Sequence, residues 1–264
     1  MATPQPRLLT VVRKRQLTPN MIRITLGGED LRGFPEDQAS GYVKLVFPPQ
    51  GESELAPMGV KAVDRRGKRN RLRSYTIRAF DPQALQLDLD FVAHGDNGPA
   101  SAWAMDCAEG DRITVLGPGP KKLVDMQADW FFLAADMTAL PALSVNLERM
   151  PRNARGYAVI EILEEGDRQE IDAPPGVEFH WVTNPHPDRP NTVLADAVRA
   201  LPWQPGRVNV WAACEFDTMR SLRAYFKKER DVGRGDVYAS SYWKMGEPDE
   251  GNKAAKREDP EADL

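Results

Sequence analysis

The sequence is poor in the residues that build metal centres and disulfide frameworks. It holds two cysteines, Cys107 and Cys214, and three histidines among 264 residues. The cysteines lie far apart, in no C-x-x-C pair and beside no histidine cluster, which argues against a disulfide scaffold or a zinc site and for a reducing cytoplasm. His186 stands between Pro185 and Pro187, and neither it nor His94 or His180 has an acidic partner at ligand spacing, so no resident metal is expected. No G-x-S-x-G occurs, which leaves a serine nucleophile without support. The second half lacks G-x-G-x-x-G, so a simple dinucleotide fingerprint is not available. No apolar run approaches the ~20 residues of a membrane helix, and the first residues show no apolar leader segment. The formal net charge of −4 excludes a general basic footprint for nucleic acid. What remains is an ordinary globular composition, 41% hydrophobic and 28% charged, at a length that suits two modest domains.

Along the first ~115 residues the pattern is one of short strands and turns. Residues 21–26 alternate apolar and polar side chains before Gly27-Gly28, and residues 41–47 read as a strand stopped by Pro48-Pro49. Residues 50–70 are loop-like, with the basic cluster Lys61, Arg65, Arg66, Lys68 and Arg69, a composition typical of a solvated loop. Residues 85–91 alternate strictly, residues 98–107 read as a short helix, and residues 112–116 as another strand. These features predict a small antiparallel barrel. Gly117-Pro118-Gly119-Pro120 marks a boundary, after which the texture changes. Residues 130–135 form a continuous apolar run, as in a strand buried on both faces. Strands over 158–163, 177–182, 208–213 and 237–241 then alternate with helices over 139–150, 192–201 and 218–230, which predicts a parallel sheet with helices on its faces. The expected division is 1–120, 121–246 and a charged tail over 247–264, mobile or loosely held as a helix.

Two stretches carry chemistry. Arg71-Leu72-Arg73-Ser74-Tyr75-Thr76-Ile77-Arg78 reads as a strand with arginines, hydroxyls and one aromatic ring. A short way on, Asp90-Phe91-Val92-Ala93-His94-Gly95-Asp96-Asn97-Gly98-Pro99-Ala100-Ser101 reads as a strand end, a glycine-rich turn and a helix start. An aromatic face can stack on a ring system, guanidinium forks grip phosphate oxygens, and a helix start offers backbone N–H groups to a diphosphate. Flavin adenine dinucleotide (FAD) fits that description. In an ideal strand Arg73 and Tyr75 share one face while Thr76 and Arg78 share the other, so one ligand reaches both sets only across a strand end or a twist. The plainer alternative is an exposed edge strand with salt bridges. His94 reads as a structural or cofactor-contacting residue rather than a catalytic acid. At the carboxyl ends of later strands stand Asp136-Met137-Thr138-Ala139, Cys214-Glu215-Phe216 and Tyr242-Trp243-Lys244, the places where open α/β sheets bind ligands.

These motifs resemble a known family. Arg73-Ser74-Tyr75-Thr76 resembles the Arg-x-Tyr-Thr flavin motif of ferredoxin-reductase-like flavoproteins. The run from Asp90 to Trp103, with Ala135 to Pro141, Ala213-Cys214-Glu215 and Tyr242-Trp243-Lys244-Met245-Gly246, is similar to the siderophore-interacting proteins, FAD-dependent ferric-siderophore reductases. The resemblance spans nearly the whole chain. It implies an FAD-binding barrel followed by a nicotinamide-binding α/β domain. Arg73, Ser74, Tyr75 and Thr76 would then hold the flavin ring and phosphate, and Asp90, Phe91 and Val92 would line the ring. His94 with Gly98, Pro99, Ala100 and Ser101 would hold the diphosphate and adenosine side, and Thr138 and Ala139 would close the far side. Glu215, Tyr242 and Lys244 would face the nicotinamide cofactor or the substrate, with Lys244 in the catalytic role. The chain departs from the family's pattern at Ala135, where a glycine is common. It departs again at Met137, which replaces a carboxylate, and at Cys214, which replaces a glycine and adds bulk on the nicotinamide side.

The function so implied is a cytoplasmic, monomeric, NADPH-driven reductase of ferric siderophores, with NADH or a ferredoxin-type protein as other possible donors and iron as a passing substrate. Two alternatives stand beside it: a generic flavin-dependent electron-transfer reductase serving a protein partner, and a module that binds flavin or siderophore without turnover.

Overall fold

The computed structural model describes residues 6–55, 67–93 and 98–260. The chain divides into two compact units, Met1–Lys121 and Lys122–Leu264.

The first unit is a closed antiparallel barrel. Its strands are β1 (Arg7–Thr18), β2 (Met21–Gly27), β3 (Tyr42–Phe47), β4 (Arg71–Asp81), β5 (Gln86–Val92) and β6 (Arg112–Gly119), in the order β1-β2-β5-β4-β3-β6. Alternation supplies the core: Ile22, Ile24 and Leu26, Val43, Leu45 and Phe47, and Leu87, Leu89 and Phe91 all join one buried cluster. Helix α1 (Pro99–Asp106) packs against that cluster through Ala100, Ala104 and Trp103. Lys14 Nζ donates to the carbonyl oxygens of Met105 and Cys107, placing a cation where the helix dipole is negative.

The ladder between β4 and β5 covers only part of their length. It starts at Ile77 opposite Leu89, carries a bulge before Ala79, and ends at Asp81 opposite Gln86. From Arg71 to Thr76, β4 is laddered to β3, while Asp90, Phe91 and Val92 of β5 are laddered to β2. The barrel wall therefore parts between β4 and β5 at the end that carries the arginine–tyrosine motif.

The second unit is a five-stranded parallel sheet of β7 (Trp130–Ala135), β8 (Arg155–Ile162), β9 (Gly176–Thr183), β10 (Val208–Glu215) and β11 (Val237–Trp243), ordered β11-β10-β7-β8-β9. Every residue of β7 is buried, as the unbroken apolar run requires of a strand covered on both faces. Gly156 opens β8 at φ 144°, where a Cβ would run into the Phe131 backbone, so glycine lets β8 lie close against β7. The helices are α2 (Leu140–Arg149), α3 (Val193–Ala200) and α4 (Phe216–Ala224), the last continued by a π-helical turn over Tyr225–Glu229. Helix α4 begins two residues before the expected 218, because Glu215 caps it. Strand order reverses between β7 and β10, which makes the carboxyl ends of those two strands the switch point of the sheet.

The charged end of the chain forms helix α5 (Asp249–Glu258), packed on edge strand β11. Its polar residues do the anchoring, which hydrophobic patterning does not register. Buried Ser241 donates its hydroxyl to Asn252 Oδ1 at 2.7 Å, and Arg223 Nη2 meets Asp259 Oδ2 at 2.5 Å with side-chain exposures of 7% and 2%. Arg220 Nε lies 3.5 Å from the other oxygen of Asp259. Asp259→Ala is expected to release α5, because Arg223 would keep its charge in a buried place at a cost of about 3–5 kcal/mol. Limited proteolysis checks this: cleavage within residues 249–258 should become markedly faster than in the wild type.

Candidate functional site

In the barrel unit the sequence motifs fall on three elements. Arg73 and Tyr75 share the face of buried Ile77, and this face runs up β4 to the part of the strand laddered to β3 alone. Arg73 is half-buried, with Nη1 donating to the Leu72 carbonyl at 2.9 Å. Ser74 is exposed and Thr76 is buried on the opposite face.

The Tyr75 ring packs on Phe91, with centroids 4.2 Å apart and planes at 32°. Phe91 in turn meets Trp103 at 5.8 Å, and Trp103 meets Phe47 at 6.3 Å. This aromatic chain ties β4, β5, α1 and β3 together. Phe91 is thus wholly core and supports Tyr75 from beneath. Asp90 gives both oxygens to Arg23, at 2.6 Å from Nε and 2.7 Å from Nη2, which locks β5 to β2. Of the three residues expected to line a ring, only Val92 is partly exposed. Gly98 is the N-cap of α1 in extended conformation, with Pro99 in the first turn and no side-chain cap; Ala100 and Ser101 are buried behind it. Among the described residues, a Cβ on Gly98 would meet nothing within 4 Å. His94 lies outside the described residues.

These features fit FAD. An uncapped helix start with small residues suits a diphosphate, Arg73 can pair with phosphate oxygen, and Tyr75 offers a supported ring at the parted edge.

In the α/β unit, three carboxylates end three strands. Asp136 follows β7 and is buried. Its Oδ1 accepts from Thr138 N at 2.9 Å, Thr138 Oγ1 at 2.5 Å and Ala139 N at 3.3 Å, and its Oδ2 accepts from Trp243 Nε1 at 2.7 Å. Burial pushes its pKa up, against the pull of those hydrogen bonds. Glu215 ends β10. Its Oε2 accepts from Asp217 N at 2.6 Å and Thr218 N at 3.1 Å, and its Oε1 accepts from Met245 N at 3.1 Å. Glu161 lies in β8, accepts from Asn184 Nδ2 at 2.9 Å, and has its pKa raised to about 7, first by burial and then by repulsion from Asp136 and Glu215. The sequence signal for Glu161 was a single acid inside the apolar run Ala158-Val159-Ile160-Glu161-Ile162-Leu163, and pattern reading passed over it.

Thr138 therefore spends its hydroxyl on Asp136, and Ala139 is fully buried as the N-cap of α2. Cys214 turns its bulk into the core shared by β10 and α4, where burial first and the three carboxylates second push its thiol pKa well up. Tyr242 is half-buried on β11. Lys244 Nζ stands 5.0 Å above the centre of the Phe216 ring, a cation–π contact.

An antiparallel barrel followed by a five-stranded parallel sheet is the ferredoxin-reductase-like fold. The model of the siderophore-interacting FAD-binding domain matches residues 10–122, and that of the siderophore-interacting protein matches residues 128–246. Over 251 residues the chain is 36% identical to ferric vibriobactin reductase ViuB of Vibrio cholerae, covering 93% of this chain and 92% of that one. The NADPH-dependent ferric-chelate reductase of Escherichia coli is 29% identical over 90% of this chain and 92% of its own. The crystal structure of the siderophore-interacting protein SipS from Aeromonas hydrophila superposes with a TM-score of 0.83 at 32% identity, covering 96% of this chain and 97% of that chain. The chain belongs to the siderophore-interacting protein family.

Glu161 carries a signed prediction. Between about pH 4.5, the ordinary value, and about 7 the folded protein holds a proton that the unfolded chain releases, so this group's contribution to stability falls as pH rises through that window. Glu161→Gln keeps an acceptor for Asn184 and removes the titration. Its denaturation midpoint, measured across the window, should lack the part of the pH slope that the wild type owes to Glu161; parallel slopes for the two proteins would contradict the assignment.

Proposed function

We propose that this protein is an FAD-dependent, NADPH-driven reductase of ferric siderophores that releases iron as Fe(II). The observation that carries the proposal is the parted β4–β5 edge with Arg73 and Tyr75 beside an uncapped α1 start, in a member of a family whose named relatives are ferric-siderophore and ferric-chelate reductases. The barrel unit holds FAD: Arg73 pairs with phosphate, Tyr75 and Val92 border the ring, and the Gly98–Ser101 turn receives the diphosphate. The α/β unit takes NADPH at the carboxyl ends of β7 and β10, near Thr138, Tyr242 and Lys244. When bound, the flavin accepts the hydride pair and releases electrons singly, which ferric iron requires. Lys244 attracts the anionic cofactor or chelate. The three carboxylates of the switch-point edge already accept hydrogen bonds within the protein, so iron stays in its own chelator and is met as substrate. The protein acts as a cytoplasmic monomer. A ferredoxin-type donor in place of NADPH, or binding without turnover, are outcomes of the test below.

Anaerobic NADPH should bleach the bound flavin, and a ferric siderophore should restore its colour while a ferrous trap develops. Bleaching by reduced ferredoxin alone would move the donor, and no bleaching by either would leave a binding module. Arg73→Ala and Tyr75→Ala should each weaken FAD binding by about 1.5–3 kcal/mol, read as flavin retained through gel filtration and dilution. Lys244→Ala should raise KM for NADPH or for the ferric chelate and flatten its dependence on salt; unchanged kinetics at all ionic strengths would remove Lys244 from the site.

A further inference from the structure

We infer that Asp136 and Glu215 form a paired clamp that positions Lys244, and that Glu215 serves the site through that residue instead of touching the nicotinamide cofactor. The inference rests on the placement of Lys244 proposed above.

The two carboxylates have the same design on either side of the switch point. Each divides its oxygens between the start of the helix that follows its own strand and the end of β11, Asp136 at its last residue and Glu215 two residues beyond it. Asp136 gives Oδ1 to Thr138 and Ala139 at the start of α2, and Oδ2 to Trp243 Nε1 at 2.7 Å. Glu215 gives Oε2 to Asp217 and Thr218 at the start of α4, and Oε1 to Met245 N at 3.1 Å. Trp243 and Met245 flank Lys244, so the segment is held on one side through the Trp243 indole and on the other through the Met245 amide. The ammonium rests over Phe216, which is the first residue of the helix that Glu215 caps. One carboxylate thus fixes both the backbone of Lys244 and the ring beneath its charge. Both carboxylates are 7% exposed and turned to these internal donors, which suits positioning better than contact with a cofactor.

Glu215→Asp separates the two duties. Aspartate is among the preferred helix caps, but it is one methylene too short to reach Met245 as well. Trp243→Phe removes the donor to Asp136 and leaves the helix starts alone. In the FAD-loaded protein without NADPH, hydrogen exchange at Lys244 and Met245 should quicken in both variants, while flavin retention matches the wild type. KM for NADPH and its salt dependence should move toward those of Lys244→Ala with little change in kcat, and Glu215→Asp combined with Lys244→Ala should be no worse than Lys244→Ala alone. Unchanged exchange at these two amides, wild-type kinetics in both variants, or losses that multiply in the double variant would overturn the clamp. If Lys244→Ala itself behaves as the wild type, the placement of Lys244 falls and the clamp with it. If Lys244→Ala is impaired and the two clamp variants are not, only the clamp falls.

Discussion

A carboxylate buried at the end of a strand must have donors for both oxygens, because an unpaired buried charge costs more than folding can bear. The α/β unit meets that requirement twice with one arrangement. Asp136 and Glu215 satisfy one oxygen each with the backbone at the start of the next helix and the other with the end of β11, through Trp243 and Met245 respectively. The start of α2, the start of α4 and the exit of β11 are thereby held to each other at the carboxyl edge of the sheet. Residues 135–140, 213–218 and 242–246 have the geometry they have because those two side chains are buried.

A third carboxylate changes the electrostatics of the same edge. Glu161 shares the low-dielectric end of the sheet with Asp136 and Glu215, and its raised pKa follows from burial compounded by two like charges. Burial first and the three carboxylates second push the Cys214 thiol pKa well up. Lys244 follows β11 with its ammonium over the ring of Phe216, the first residue of α4. The barrel unit solves its own problem with packing. There, the chain of rings from Tyr75 through Phe91 and Trp103 to Phe47 ties together the elements around the parted edge, and the Arg23–Asp90 fork holds β5 where its ladder to β4 ends.

Much of the architecture was legible in the chain. Strict alternation in 85–91 and the unbroken apolar run in 130–135 announce two kinds of sheet, because a barrel wall buries one face of a strand and a central parallel strand buries both. The helix starts were less legible. Glu215 as a cap moves α4 back to Phe216, and a glutamate in that role is outside the usual set of capping residues. The last eighteen residues read as a mobile tail or a loosely held helix because they are charged and poor in apolar side chains, yet α5 packs Ala255 against the core and is held by Ser241–Asn252 and, just beyond its end, by Arg223–Asp259, polar contacts that no hydrophobic period records.

By itself the sequence determined the two architectures, their order, and the residue types available to a phosphate and a flat ring, since these follow from periodicity, turn residues and local motif. Tertiary structure alone decided what each of those side chains packs against or bonds to within the fold. Barrel closure puts Phe91 in the core and pairs Asp90 with Arg23, 67 positions away. The partner of Glu215 Oε1 is the Met245 amide, 30 positions on, and that of Asp136 Oδ2 is Trp243, 107 positions on. Hydrogen-bond partners so distant in the chain leave no local pattern, because they exist only once parallel strands from separate stretches have been laid side by side.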